Sequence, residues 1–190
     1  DLVARVHAIS EGAALMSGVR VDSKVFSAVS NLLGNRPLEE AMQAEFDALG
    51  PVPFDANDEK FAAEIRATLT KDDIADTFRL LNMKPDYDMA LCDFVAPLDR
   101  LFVGGIGSTD VGDVSWAVPT VQANVATCAM GTPFHTWQLT AQGKEPFAHK
   151  GMIHAAKVMA ATARAMILSD ELRTSAKKAH GEHLATFPYA

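Results

Sequence analysis

The sequence predicts an α/β (α+β) chain, on three features. Apolar residues recur at helical spacing near the start (Leu2, Val6, Ile9, Ala13, Met16) and in a long stretch from His149 to Leu168. Residues 19–26 (VRVDSKVF) alternate apolar and polar, as a half-buried strand does. From Gly104 the texture changes to glycine-punctuated runs, and 120–130 and 134–141 read as strands joined by loops.

Gly18 is placed to stop the first helix. Residues 31–35 are turn-prone, and Pro37 suits the first turn of a second helix that sets Leu38, Met42, Glu45 and Leu49 on one face. The run from Gly50 to Pro53 ends that helix and is the best linker, which puts a domain boundary at residue 50. Beyond it, Asn57 and Asp58 are expected to cap a helix carrying Phe61, Ile65 and Leu69. Thr70 to Asp73 spell a capping box that opens another. In the long helix from His149, the stripe Met152, Ala156, Met159, Ala163 and Met166 is expected to cover a sheet, with Lys150, His154, Lys157 and Arg164 in solvent. The residues from Ser169 onward read as a polar terminal extension.

Composition bounds the function. The 190 residues, 48% hydrophobic and 22% charged, suffice for one sizeable core or two small ones. A net charge of −7 argues against nucleic acid and anionic membranes as partners. No apolar run reaches the roughly 18 residues of a membrane span, and the first residues lack the basic and apolar regions of a signal peptide. Cys92 and Cys128 match no CxxC pattern, so neither a disulfide framework nor a zinc knuckle is indicated, and a cytoplasmic location is expected. Asp1 opens directly on residues that read as the inside of a helix, an expectation of a truncated chain.

Two segments could carry chemistry. Residues 107–116 (GSTDVGDVSW) set hydroxyls and carboxylates beside glycines, where backbone amides can approach a ligand. Equally, Ser108, Thr109 and Asp110 could cap a helix while Asp113 caps or turns the chain. Residues 131–137 (GTPFHTW) put His135 just after a Gly/Pro turn, as a metal-ligating imidazole or a structural one. His149 ranks below it, and His154 reads as surface. His180 and His183, three apart, could share a metal but lack a third ligand. The glycines from Gly104 do not have Walker A spacing, and no serine sits in a nucleophile elbow.

Taken in order, residues 3–16, 27–35, 107–119, 131–137 and 148–152 resemble the p-aminobenzoyl-glutamate hydrolase family, in its B-type form, within the carboxypeptidase G and aminoacylase superfamily of two-metal amidohydrolases and peptidases. The resemblance implies a zinc-peptidase-like, mixed-sheet catalytic domain interrupted by an α+β lid through which such enzymes dimerise. On it, residues 1–50 belong to the lid and 51–190 to the C-terminal part of the catalytic domain. His135 resembles the C-terminal histidine ligand of a pair of divalent ions, zinc or manganese. Asn31 resembles an asparagine that contacts the substrate, and Ser108, Thr109 and Asp110 match the loop lining the same pocket. Relatives carry an acidic residue beside that aspartate, where Thr109 stands here. The general-base glutamate and the other ligands fall outside this sequence, so none of its residues is assigned as catalytic. The expected activity is hydrolysis of an N-acyl or p-aminobenzoyl-glutamate type amide by the complete enzyme, as a homodimer or with the missing N-terminal part, the fragment alone being inactive. The alternative is a non-catalytic binding or dimerisation module.

Overall fold

The computed structural model describes residues 1–99 and 109–187, and among them every regular element is a helix. The predicted α/β class is thereby corrected: no strand or sheet forms among the described residues. The physical reason is the lack of a ladder. Among the described residues, 20–29 make no main-chain hydrogen bond to another segment, and Val21, Val25 and Phe26 stay exposed. Residues 120–130 make a single rung to the described residues, from Met130 N–H to the Ala90 carbonyl at 2.9 Å. Alternating side chains fit a strand, but only a paired neighbour satisfies its backbone. In the third expected strand, Thr136 caps a helix instead, its side chain accepting the Leu139 N–H.

Helix α1 (Leu2–Ser17) ends where expected, at Gly18 in the left-handed conformation. Its apolar stripe does not enter a core. Leu2, Val6, Ile9 and Met16 are all exposed, and Ala14 alone is buried. Helix α2 (Arg36–Leu49) has Pro37 in its first turn and Asn35 as its cap, with Gly50 closing it. Helix α3 (Ala56–Arg66) begins one cap earlier than expected. Asp55 accepts the N–H groups of Asn57 and Asp58, while Asp58 accepts that of Asp55. Helix α4 (Lys71–Leu80) opens with the expected Thr70/Asp73 capping box. Short helices α5 (Val111–Ala117) and α6 (Trp137–Gln142) precede α7 (Pro146–Leu168) and α8 (Asp170–Thr186).

Helices α2, α7 and α8 pack on one another. Helix α7 buries Phe147, Ala148, Gly151, His154, Val158 and Thr162, while Met152 and Met159 are exposed. The methionine stripe expected to be covered is thus turned outward and His154, expected outside, is buried, while Lys157 and Arg164 are exposed as expected. Gly151 shows why: a Cβ there would lie 2.1 Å from the Ala126 carbonyl oxygen, so the helix approaches the chain at 126 on the face that carries this glycine. The segment after Ser169, expected as an extension, is a capped helix. The side chain of Asn35, itself buried, donates to the Ala176 carbonyl at 2.9 Å and ties α8 to the start of α2.

A core of Ala62, Ile65, Ala90, Leu91, Ala129, Phe147 and Ala148 joins α3 to α7, with Phe61 tilted against Phe147. At its edge, Lys150 reaches both Asp55 and Asp58, so the capping box of α3 is also an ion-pair anchor for α7. The Lys150 hydrogen bond, with help from the Asp58 and Asn57 N–H groups, holds the Asp55 carboxyl below its ordinary range. A second cluster of Ile74, Phe78 and Met130 packs under the turn that carries His135. No described helix is long and apolar enough to cross a membrane.

Candidate functional site

The residues around Asn31 are held by three side chains of α5, from the far side of the sequence. Asp113 accepts the Ser30 N–H at 3.0 Å, Ser115 Oγ accepts the Leu33 N–H at 2.8 Å, and Trp116 Nε1 donates to the Asn31 carbonyl at 2.9 Å. The approach is close enough that only glycine fits at 112, where a Cβ would stand 2.0 Å from the Ser30 carbonyl oxygen. The Asn31 side chain, which is exposed, forms no hydrogen bond among the described residues. Its main chain is fixed while its side chain is exposed.

Thr109 and Asp110 open α5 and line, with Ser27, Ala28 and Val29, an open depression of about 490 Å³. The structure thus brings the Asn31 strip and the Thr109–Asp110 loop together. Thr109 Oγ1 also accepts the Val111 N–H at 3.3 Å, whereas Asp110, at the cap position, makes no side-chain cap bond. Ser108 lies outside the described residues.

The far end of α5 is buttressed by α8. Ser115 Oγ donates to the Gly112 carbonyl, and the Ser115 carbonyl meets His180 Nε2 at 2.9 Å. His183 packs edge-on to Trp116, with ring centroids 5.6 Å apart, and also against Phe187. His180 and His183 are therefore half-buried struts of this region. The sequence marks Asp113 only as a cap or turn residue and singles out neither Ser115 nor Trp116. Their signal is faint: three polar-tipped residues in a seven-residue helix beside a glycine.

His135 is exposed and stands in the left-handed region, at φ 62°, a conformation that costs a non-glycine residue energy. The turn beneath it is tightly specified. Gly131, at φ 93°, lies so close to Ile74 that a Cβ would come within 2.8 Å of its side chain. Gln142, 1% exposed, accepts the Ala129 N–H at 2.7 Å and donates to Thr132 Oγ1 at 3.1 Å and the Gln138 carbonyl at 3.0 Å. Thr132 Oγ1 in turn donates to the Ala129 carbonyl at 2.8 Å. Among the described residues no hydrogen bond, ion pair or ring contact joins His135 to Asn31 or Asp110.

The other histidines divide plainly. His149 is exposed in the first turn of α7. His154, expected on the surface, is 5% exposed, tilted against Phe46 at a centroid distance of 6.4 Å, and its Nε2 has no partner among the described residues. Burial pushes the thiols of Cys92 and Cys128 up, away from reactivity.

A two-metal centre asks for several converging donors. Among the described residues no group of three His, Cys, Asp or Glu side chains gathers to hold an ion. These residues alone do not fit such a centre.

No family model matches the chain, and no solved structure does. Across 195 aligned positions, covering 97% of the chain, the sequence is 38% identical to the B-type subunit of p-aminobenzoyl-glutamate hydrolase from Escherichia coli (strain K12). The chain spans about 40% of the length of that relative, so what this sequence is similar to is one part of a hydrolase subunit.

Proposed function

We propose that the chain is part of an amide hydrolase acting on p-aminobenzoyl-glutamate or a related N-acyl amino acid. The observation that carries this is 38% identity maintained over 97% of the chain to a hydrolase subunit named for that substrate. Asn31, Thr109 and Asp110, with Ser108 beside them, serve as substrate-contacting residues. An amide hydrolase needs hydrogen-bonding groups that orient its substrate, and an exposed carboxamide on a fixed backbone suits that role. Residues 1–50 act as part of a lid and residues 51–190 as part of the catalytic domain.

His135 contributes one ligand to a pair of divalent ions, zinc or manganese, whose other donors lie in parts of the protein outside this sequence. The strained φ at His135 and the pinned turn beneath it support a fixed role for that imidazole. Such ions would polarise the amide carbonyl and supply the attacking hydroxide. The test uses the full-length protein containing this sequence. Release of p-aminobenzoate and glutamate is expected, with metal content falling in His135→Ala. Undiminished metal content and turnover in that variant would remove His135 from the centre.

A second role draws on α1. Its exposed Leu2, Val6, Ile9 and Met16 favour a contact with a second copy of the protein. Sedimentation of the full-length protein checks it: a monomer at micromolar concentration contradicts a dimerisation role.

A further inference from the structure

We infer that α5 is a positioning element for Asn31: Trp116, Asp113 and Ser115 set the substrate contact by fixing its main chain, without touching substrate themselves. The inference rests on the assignment of Asn31 as a substrate contact and adds the residues through which it acts.

The geometry is selective. Three hydrogen bonds from one seven-residue helix fall on Ser30, Asn31 and Leu33, one on each, across 82 to 85 residues of sequence. Each takes a main-chain group, so together they fix the path of the strip whatever its side chains are. None takes the Asn31 carboxamide. Immediately upstream, residues 20–29 make no main-chain bond to any other described segment. Order in the strip therefore begins where α5 holds it. Gly112 brings the helix to main-chain contact distance, and the same helix starts at Asp110, on the wall of the depression. One rigid unit thus carries one wall of the depression and the anchor of Asn31. A substrate held between them meets a preset spacing instead of ordering a free loop, which lowers the ordering cost of binding.

Trp116→Phe removes the bond to the Asn31 carbonyl and keeps a ring against His183. The experiment measures KM and kcat for p-aminobenzoyl-glutamate with the full-length protein, for Asn31→Ala, Trp116→Phe and the double variant. Trp116→Phe is expected to raise KM roughly three- to tenfold, with a much smaller change in kcat. In the Asn31→Ala background the same substitution is expected to change KM less than about twofold, because the contact it positions is already gone. Equal effects of Trp116→Phe in both backgrounds, or none in either, overturn the positioning role. If Asn31→Ala leaves KM unchanged, the substrate contact itself falls and the positioning role with it, an outcome distinct from an Asn31 effect without a Trp116 effect. Hydrogen exchange over residues 27–33 reads the same anchor without turnover. Faster exchange is expected in Trp116→Phe and Asp113→Ala, and unchanged exchange in both overturns the inference.

Discussion

Gln142 receives the Ala129 N–H on its side-chain oxygen, and by that bond ties the end of α6 to the core that joins α3 to α7. Ala129 is 1% exposed, so its N–H has no direct access to bulk water if the bond is lost. Gln142→Ala is expected to cost about 2–3 kcal/mol, the penalty of an unsatisfied buried N–H plus the lost packing. Urea denaturation measures it, and a loss below about 0.5 kcal/mol would show that the turn stands without Gln142.

At His135 stability and function should separate. A glycine adopts φ 62° freely, whereas histidine does not. His135→Gly is expected to change stability little or to raise it by up to about 1 kcal/mol, since relief of strain is opposed by the greater freedom of glycine in the unfolded chain. The same substitution should abolish turnover in the full-length protein. A destabilisation of more than about 1 kcal/mol would mean that the imidazole holds the turn together.

His154 sets a ring nitrogen with no partner among the described residues in the interface of α7 with α2. A buried polar atom without a hydrogen bond works against the fold. His154→Leu is expected to stabilise the protein by about 1 kcal/mol, or roughly 2–4 °C in Tm. A calorimetric scan showing a lower Tm would indicate that the ring's shape matters more than its polarity.

The Lys150 anchor predicts a pH dependence with two limbs. Asp55 is depressed in the folded state, chiefly by the hydrogen bond from Lys150. Its contribution is present above the ordinary aspartate pKa of about 3.9 and is lost as pH falls through the lower folded value. Lys150 is raised, by its hydrogen bonds to Asp55 and then Asp58. Its contribution is complete below the ordinary lysine pKa of about 10.4 and is lost as pH climbs through the higher folded value. Between the limbs this pair adds no slope. Lys150→Met should remove the basic limb, read from denaturation midpoints across pH, and a basic limb of unchanged size would place its origin elsewhere.

What is legible in the sequence is local. The Thr70/Asp73 box, the stop at Gly18 and Pro37 in a first turn are interactions among residues a few positions apart, and each stands where its pattern puts it. The strands expected at 19–26, 120–130 and 134–141 do not form, because a ladder needs a partner that alternation does not reveal. Helix α7 forms over the expected residues but buries the stripe of Gly151, His154, Val158 and Thr162 instead of the methionine stripe, a choice that helical spacing alone does not make. The close approach at Gly151 decides between them. The loop near Asp110 is marked in the sequence by its glycines and hydroxyls, and the strip at Asn31 only by the family resemblance. That α5 ties them is not, because its bonds cross more than 80 positions.

The clasp between Ser115 and Leu33 also has a cost in chain entropy. Closing 82 residues costs roughly 1.9 kcal/mol more in chain entropy than closing the 10 between Thr132 and Gln142. The Thr132–Gln142 bond under His135 can thus close at less entropic cost than the clasp. The anchor of the Asn31 strip is a long-range contact, closed only when α5, with α8 behind it, is brought back to residues 30–33.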